Sequence, residues 1–151
     1  MPVSMSMKQS MRKQKPARLK KFALHPVGMV FTKEELIKLA ELAKKYGVVV
    51  ISDEIHAPLT FDESKFIPFL DVSQTAKEVG VCITAASKSW NIAGLKCAFI
   101  LTQSEKMAEL AKKMPAAVHY RASLFGAIAA ATAYTSTDWL DATLKTLDRN
   151  R

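Results

Sequence analysis

Two residues stand where they could do chemistry together. Asp53 follows the apolar run Val48-Val49-Val50-Ile51, and Lys88 comes just after a second run, Val81-Cys82-Ile83-Thr84. Continuous β-branched runs of this kind suit strands buried on both faces of a parallel sheet, and such sheets carry their ligand-contacting groups at the carboxyl edge. A carboxylate placed there requires a cation or hydrogen-bond donors. A lysine flanked by Cys82, Ile83, Ala85, Ala86 and Trp90 is expected to be partly desolvated, which favours the neutral amine that can attack a carbonyl carbon. Each residue also has an ordinary reading: Ser52-Asp53-Glu54 as a strand end whose acids cap the next turn, and Lys88 as a solvated surface charge. A nucleophilic amine and a carboxylate at the ends of neighbouring strands specify more than either alone.

The elements that must position them are legible in part. Thr32-Lys33-Glu34-Glu35 forms a capping box, and Leu36, Leu39, Ala40 and Ala43 recur at helical spacing until Gly47 supplies a left-handed stop. The pattern predicts a helix from Lys33 to Tyr46. A third buried strand is expected at Cys97-Ala98-Phe99-Ile100-Leu101. Three such strands, separated by helical or irregular segments, imply an α/β fold with a three-layer arrangement of sheet and helices. Residues 57 to 71, with Pro58 and Pro68, read as loop. Ser104 is placed to cap a helix from Glu105 to Lys113 that stops at Pro115. Ala122 to Tyr134 is apolar around most of its circumference and is predicted to be a buried helix. Thr137-Asp138-Trp139-Leu140 opens a last amphipathic helix. His119-Tyr120-Arg121 is a polar cluster at a loop end, with contact to a substrate or a partner subunit as its functional reading.

Composition narrows the function classes. The 151 residues, 49% of them hydrophobic, suffice for a domain with a core. The net charge of +8 suggests a polyanion partner, but Lys8, Arg12, Lys13, Lys15, Arg18, Lys20 and Lys21 supply seven of those units with no acid among residues 1 to 25. From Pro26 onward, 15 bases stand against 14 acids. Residues 1 to 24 therefore read as a basic, solvated tail. Cys82 and Cys97 lie in apolar segments and read as reduced, buried thiols; neither has the His-rich spacing of a zinc site, and no metal is assigned. No apolar run reaches the roughly 18 to 20 residues of a spanning helix, and no secretory signal is seen. The cytoplasm is the expected compartment; an organelle transit peptide is the alternative.

Four motifs in order carry a family resemblance: Pro26-Val27-Gly28, Ile51-Ser52-Asp53-Glu54-Ile55-His56, Ile67-Pro68-Phe69 and Ser87-Lys88-Ser89-Trp90-Asn91-Ile92-Ala93-Gly94-Leu95. They resemble the large domain of fold-type I pyridoxal-phosphate enzymes. They are most similar to the class I/II aminotransferase branch that contains the cystathionine β-lyase type C–S lyases, and the similarity runs from about His25 to the last residue. The resemblance implies that Lys88 forms the Schiff base with the cofactor and shuttles the substrate Cα proton. It implies that Asp53 pairs with the pyridinium nitrogen and that His56 lies near the cofactor's phenolic oxygen. Ser87 and Lys96 occupy positions associated with the phosphate, as a hydroxyl donor and a point charge; an exposed cation at a strand start is the ordinary reading of Lys96. The implied substrate is an amino acid, and intact relatives are homodimers.

Departures from the family pattern matter as much. His25 stands where relatives carry the second Asn of an Asn-Pro-x-Asn-Pro motif, and Lys96 stands where many carry arginine, which loses a bidentate grip. The family's earlier phosphate-binding loop and stacking aromatic are missing, as is its later substrate-binding arginine. The expectation is a partial large domain over residues 25–135, followed at 136–151 by the start of a helix leading to a missing small domain. Two outcomes compete for the intact chemistry, β-elimination of a thiolate and transamination. Two other readings compete with an enzyme: a non-catalytic remnant, and a nucleic-acid-binding module using the basic tail, which is disfavoured because Phe22 is the tail's one aromatic residue.

Overall fold

A computed structural model describes residues 20–22, 30–61 and 65–150. The motif at His25-Pro26-Val27-Gly28 and most of the basic tail lie outside the described residues. A four-stranded sheet with spatial order β1-β2-β3-β4 organises the chain: β1 (Lys20–Phe22), β2 (Val50–Asp53), β3 (Gly80–Thr84) and β4 (Phe99–Leu101). The first three are mutually parallel. β1 corrects the boundary of the tail. Lys20–Phe22 pairs with Val50–Ser52, a long-range backbone pairing that three residues without an alternating pattern do not announce.

Helix α1 (Lys33–Lys45) forms as its sequence dictates. The Glu35 N–H donates to Thr32 Oγ1 at 3.3 Å and the Thr32 N–H donates to Glu35 Oε2 at 2.9 Å, the reciprocal bonds of the capping box. Leu36, Ala40 and Ala43 are buried, and Gly47 adopts φ +62°, a conformation that costs a Cβ-bearing residue. The chain then enters β2 two residues later than the apolar run begins. Pro58 and Pro68 lie in or beside short 3-10 turns at Ala57–Leu59 and Phe69–Asp71. Helix α2 (Gln74–Val79) is capped by Ser73, whose Oγ accepts from the Ala76 N–H at 3.1 Å. Its six residues are too few to display a periodic stripe. The main core lies between α1, α2, the Phe69–Asp71 turn and the sheet; it includes Leu36, Ala40, Val50, Phe69, Ala76 and Cys82.

Two expectations are corrected beyond β3. The third strand covers only Phe99–Leu101, runs antiparallel to β3, and is exposed along its length. Residues 85–98 contain turns and a 3-10 segment at Ala93–Leu95 but no crossover helix, and a parallel connection requires such a crossover. After α3 (Glu105–Lys112) and α4 (Ala116–His119) come α5 (Leu124–Thr135) and α6 (Thr137–Arg149). The second correction concerns α5, which buries only Gly126, Ala130 and Ala133. Its small residues face Ala86, Trp90, Ile92 and Cys97 in a second, smaller cluster, and Leu124, Phe125 and Ile128 face outward. Ser104 precedes α3 without a side-chain cap; its N–H donates instead to Thr102 Oγ1 at 3.2 Å. Among the described residues no helix is long and apolar enough to cross a membrane.

Candidate functional site

The parallel register of β2 and β3 sets Asp53 opposite Ile83, so the two strands end at one edge. The ladder continues one step, with the Glu54 N–H donating to Ile83 O at 2.8 Å. Asp53 is half-buried and its Oδ1 accepts from the Ile55 N–H at 3.4 Å. His56 follows it in an exposed turn. Beyond β3 the chain coils tightly. The Trp90 N–H donates to Ala86 O at 3.1 Å, the Ile92 N–H to Ser87 O at 3.1 Å, and the Asn91 N–H to Lys88 O at 3.4 Å.

Within that coil Ala85, Ala86 and Ser89 are buried, Ser87 is half-buried, and Lys88 is exposed. The expected partial desolvation of Lys88 is therefore not found. The small neighbours occupy the interior and leave the lysine side chain exposed. Because Phe99 pairs with Thr84, β4 starts at the same edge. Lys96, three residues earlier, returns the chain to it. Lys96 is exposed, takes the left-handed φ of +51°, and uses its carbonyl to accept the Ser123 N–H at 3.1 Å at the start of α5. Along the chain, then, Asp53 ends β2, Ser87 and Lys88 follow the end of β3, and Lys96 precedes β4 at the same edge of the sheet, with His56 in the turn three residues beyond Asp53. His119, Tyr120 and Arg121 are exposed at the end of α4.

Two features escaped sequence reasoning. Glu54 is a buried carboxylate whose Oε1 accepts from Ser52 Oγ at 2.9 Å and from the Phe69 N–H at 2.9 Å. It joins the strand edge to the 3-10 turn 15 residues later, and no local signal announces that partner. Burial first, then the charge and hydrogen bond of Glu54, push the adjacent Cys82 thiol well above its ordinary value. The second feature is a pair of indoles, Trp90 and Trp139, that link the Lys88 coil to the junction of α5 and α6.

Residues 23–151 match the family described as aminotransferase class I and II. The chain belongs to that family. Among its family relatives, the cystathionine β-lyase of Corynebacterium glutamicum is 38% identical over 128 residues, 84% of this chain and 34% of the relative. The cystathionine β-lyase PatB of Bacillus subtilis is 33% identical over 128 residues, 83% of this chain and 33% of the relative. The crystal structure of cystalysin from Treponema denticola, which contains a pyridoxal 5′-phosphate cofactor, superposes with a TM-score of 0.78 at 28% identity. It covers 95% of this chain and 37% of the relative. The chain spans about a third of the length of the curated relatives it matches, and its fold is that part of the fold-type I pyridoxal-phosphate enzymes.

Proposed function

We propose that this chain is the cofactor-holding portion of a pyridoxal-phosphate-dependent enzyme that acts on amino acids, of the cystathionine β-lyase type. The observation that supports this reading is that Asp53 ends β2 and Lys88 follows β3 at the same edge of the parallel pair. The donor set fits pyridoxal phosphate: an amine for its aldehyde, a carboxylate for its protonated ring nitrogen, and a hydroxyl and a cation for its phosphate. When bound, that group supplies an electron sink for the substrate's Cα.

The remaining chemistry belongs to the chain. Lys88 Nζ would hold the group and, when its amine is free, would take and return the substrate's Cα proton. The Asp53 carboxylate would keep the ring nitrogen protonated, and its half-buried setting would screen that ion pair less than full exposure would. Ser87 would donate to the phosphate and Lys96 would add a point charge without the planar fork of an arginine. His56 would stand near the phenolic oxygen. The names of the relatives favour β-elimination over transamination, and an amino-acid substrate, a homodimer and a cytoplasmic setting complete the reading.

A non-catalytic remnant is the alternative, favoured by His25 and Lys96 standing where relatives carry asparagine and arginine. One experiment separates the two. Purified chain is incubated with pyridoxal phosphate, reduced with borohydride, digested and mapped by mass. A stoichiometric adduct on Lys88, lost in Lys88→Ala, is expected; adducts scattered over surface lysines, unchanged by Lys88→Ala, would overturn the reading.

A further inference from the structure

Trp90 and Trp139 exchange hydrogen bonds across the molecule. The Trp90 indole Nε1–H donates to Ser136 O at 3.1 Å, and the Trp139 Nε1–H donates to Ser89 O at 3.2 Å. One partner in each bond lies within two residues of Lys88, and the other lies at the α5–α6 junction. An indole donates and cannot accept, so each bond has a single possible direction and the two run opposite ways. The Trp90 ring is also fixed edge-on against Tyr134, at 5.3 Å between centroids.

The coil that carries Lys88 closes at Asn91, which is exposed and takes a left-handed φ of +55°, a conformation asparagine tolerates. Ser89 is 2% exposed and its Oγ has no hydrogen-bond partner, so this buried residue is fixed through its backbone carbonyl, the atom Trp139 grips. The same helix, α6, packs against the Ala57–Leu59 turn that follows His56. Two loops of the candidate edge are therefore tied to one helix.

We infer that Trp139 is a positioning residue for Lys88: through the reciprocal indole bonds with the Lys88 coil, α6 sets where the lysine amine stands. This rests on the proposed role of Lys88 in one arm of its test and is independent of that role in the other. In the full chain, Trp139→Phe removes the N–H and keeps a ring, and Trp90→Phe does the same from the other side. Leu144→Ala weakens α6 at a residue without a bond to the coil.

Amide hydrogen exchange is read at Trp90, Asn91 and Ile92, with Ala40 in α1 as the reference. Both indole variants are expected to speed exchange of the three coil amides about fivefold, the worth of one net hydrogen bond, and to leave Ala40 unchanged. They are expected to slow borohydride-fixed attachment of pyridoxal phosphate at Lys88 by a similar factor, whereas Leu144→Ala does neither. Coil exchange equal to wild type, exchange raised at the coil and Ala40 alike, or a loosened coil with an unchanged rate of attachment would each overturn the inference. A wild-type chain that takes no cofactor would remove the proposed function while the exchange arm still decides the indole link.

Discussion

Glu54 and Asp53 are adjacent carboxylates with opposite employments, because successive residues at a strand end turn to opposite faces. Asp53 accepts from the Ile55 N–H, while Glu54 accepts from Ser52 and from the Phe69 N–H beside Cys82. Glu54→Ala strands the buried Phe69 N–H and is expected to cost about 2 kcal/mol in urea unfolding. Glu54→Gln keeps an oxygen acceptor and is expected to cost about half as much; equal losses would show that the charge rather than the acceptor matters. Cys82 gives a pH signature. Its folded-state value is raised, so the folded protein disfavours the thiolate. The thiol's contribution is therefore intact below the ordinary value of 9.0 and is lost as pH rises beyond it. Stability measured from pH 8 upward should fall more steeply in wild type than in Cys82→Ala, and parallel curves would refute the assignment. Asp53 and Lys88 were legible as candidates from type and order along the chain. Glu54 was not, because its partner lies 15 residues away through a turn that only the folded chain brings near.

The legibility of whole elements followed how local their causes are. Helix α1 matches its predicted span to within one residue because cap, stripe and stop all lie inside it. β4 and α5 depended on what lies beside them: apolarity marked β4 as a strand without fixing its direction or cover, and it marked α5 as helix without saying which side is covered. Gly126 shows what does decide the seating of α5. A Cβ there would collide with the backbone carbonyl of Leu95 and come within 3.0 Å of Cys97 Cβ, so the helix approaches the 95–97 segment as closely as glycine allows. Gly→Ala inside a helix ordinarily stabilises by about 0.5–1 kcal/mol. Here the sign is expected to reverse, with Gly126→Ala losing about 1–3 kcal/mol as α5 is pushed off its seat. Thermal unfolding reads the sign directly; a raised midpoint would mean that α5 is not seated this way.

At the scale of the molecule, small residues turned inward leave large apolar ones outside. Leu124 is 73% exposed, Phe125 74% and Ile128 57% on α5, and Phe99, Ile100 and Leu101 are exposed along β4 at the end of the sheet order. An apolar edge strand beside an apolar helix face is a template for another chain. Charge offers little opposition, since seven of the eight net units lie in residues 1 to 25 and the remainder of the chain is nearly neutral. The chain alone is therefore expected to self-associate as its concentration rises. Sedimentation velocity should show the apparent mass climbing with concentration and little relieved by salt, because the driving surface is apolar rather than ionic. Ile100→Lys would place a charge on the edge strand, and Phe125→Glu with Ile128→Lys would place charges on the helix face. Each set is expected to shift the distribution toward monomer while leaving helix α1 and the Lys88 coil intact by hydrogen exchange. If wild type sediments as one monomeric species across the range, or if the charged variants associate as strongly as wild type, this face is not what brings the chains together.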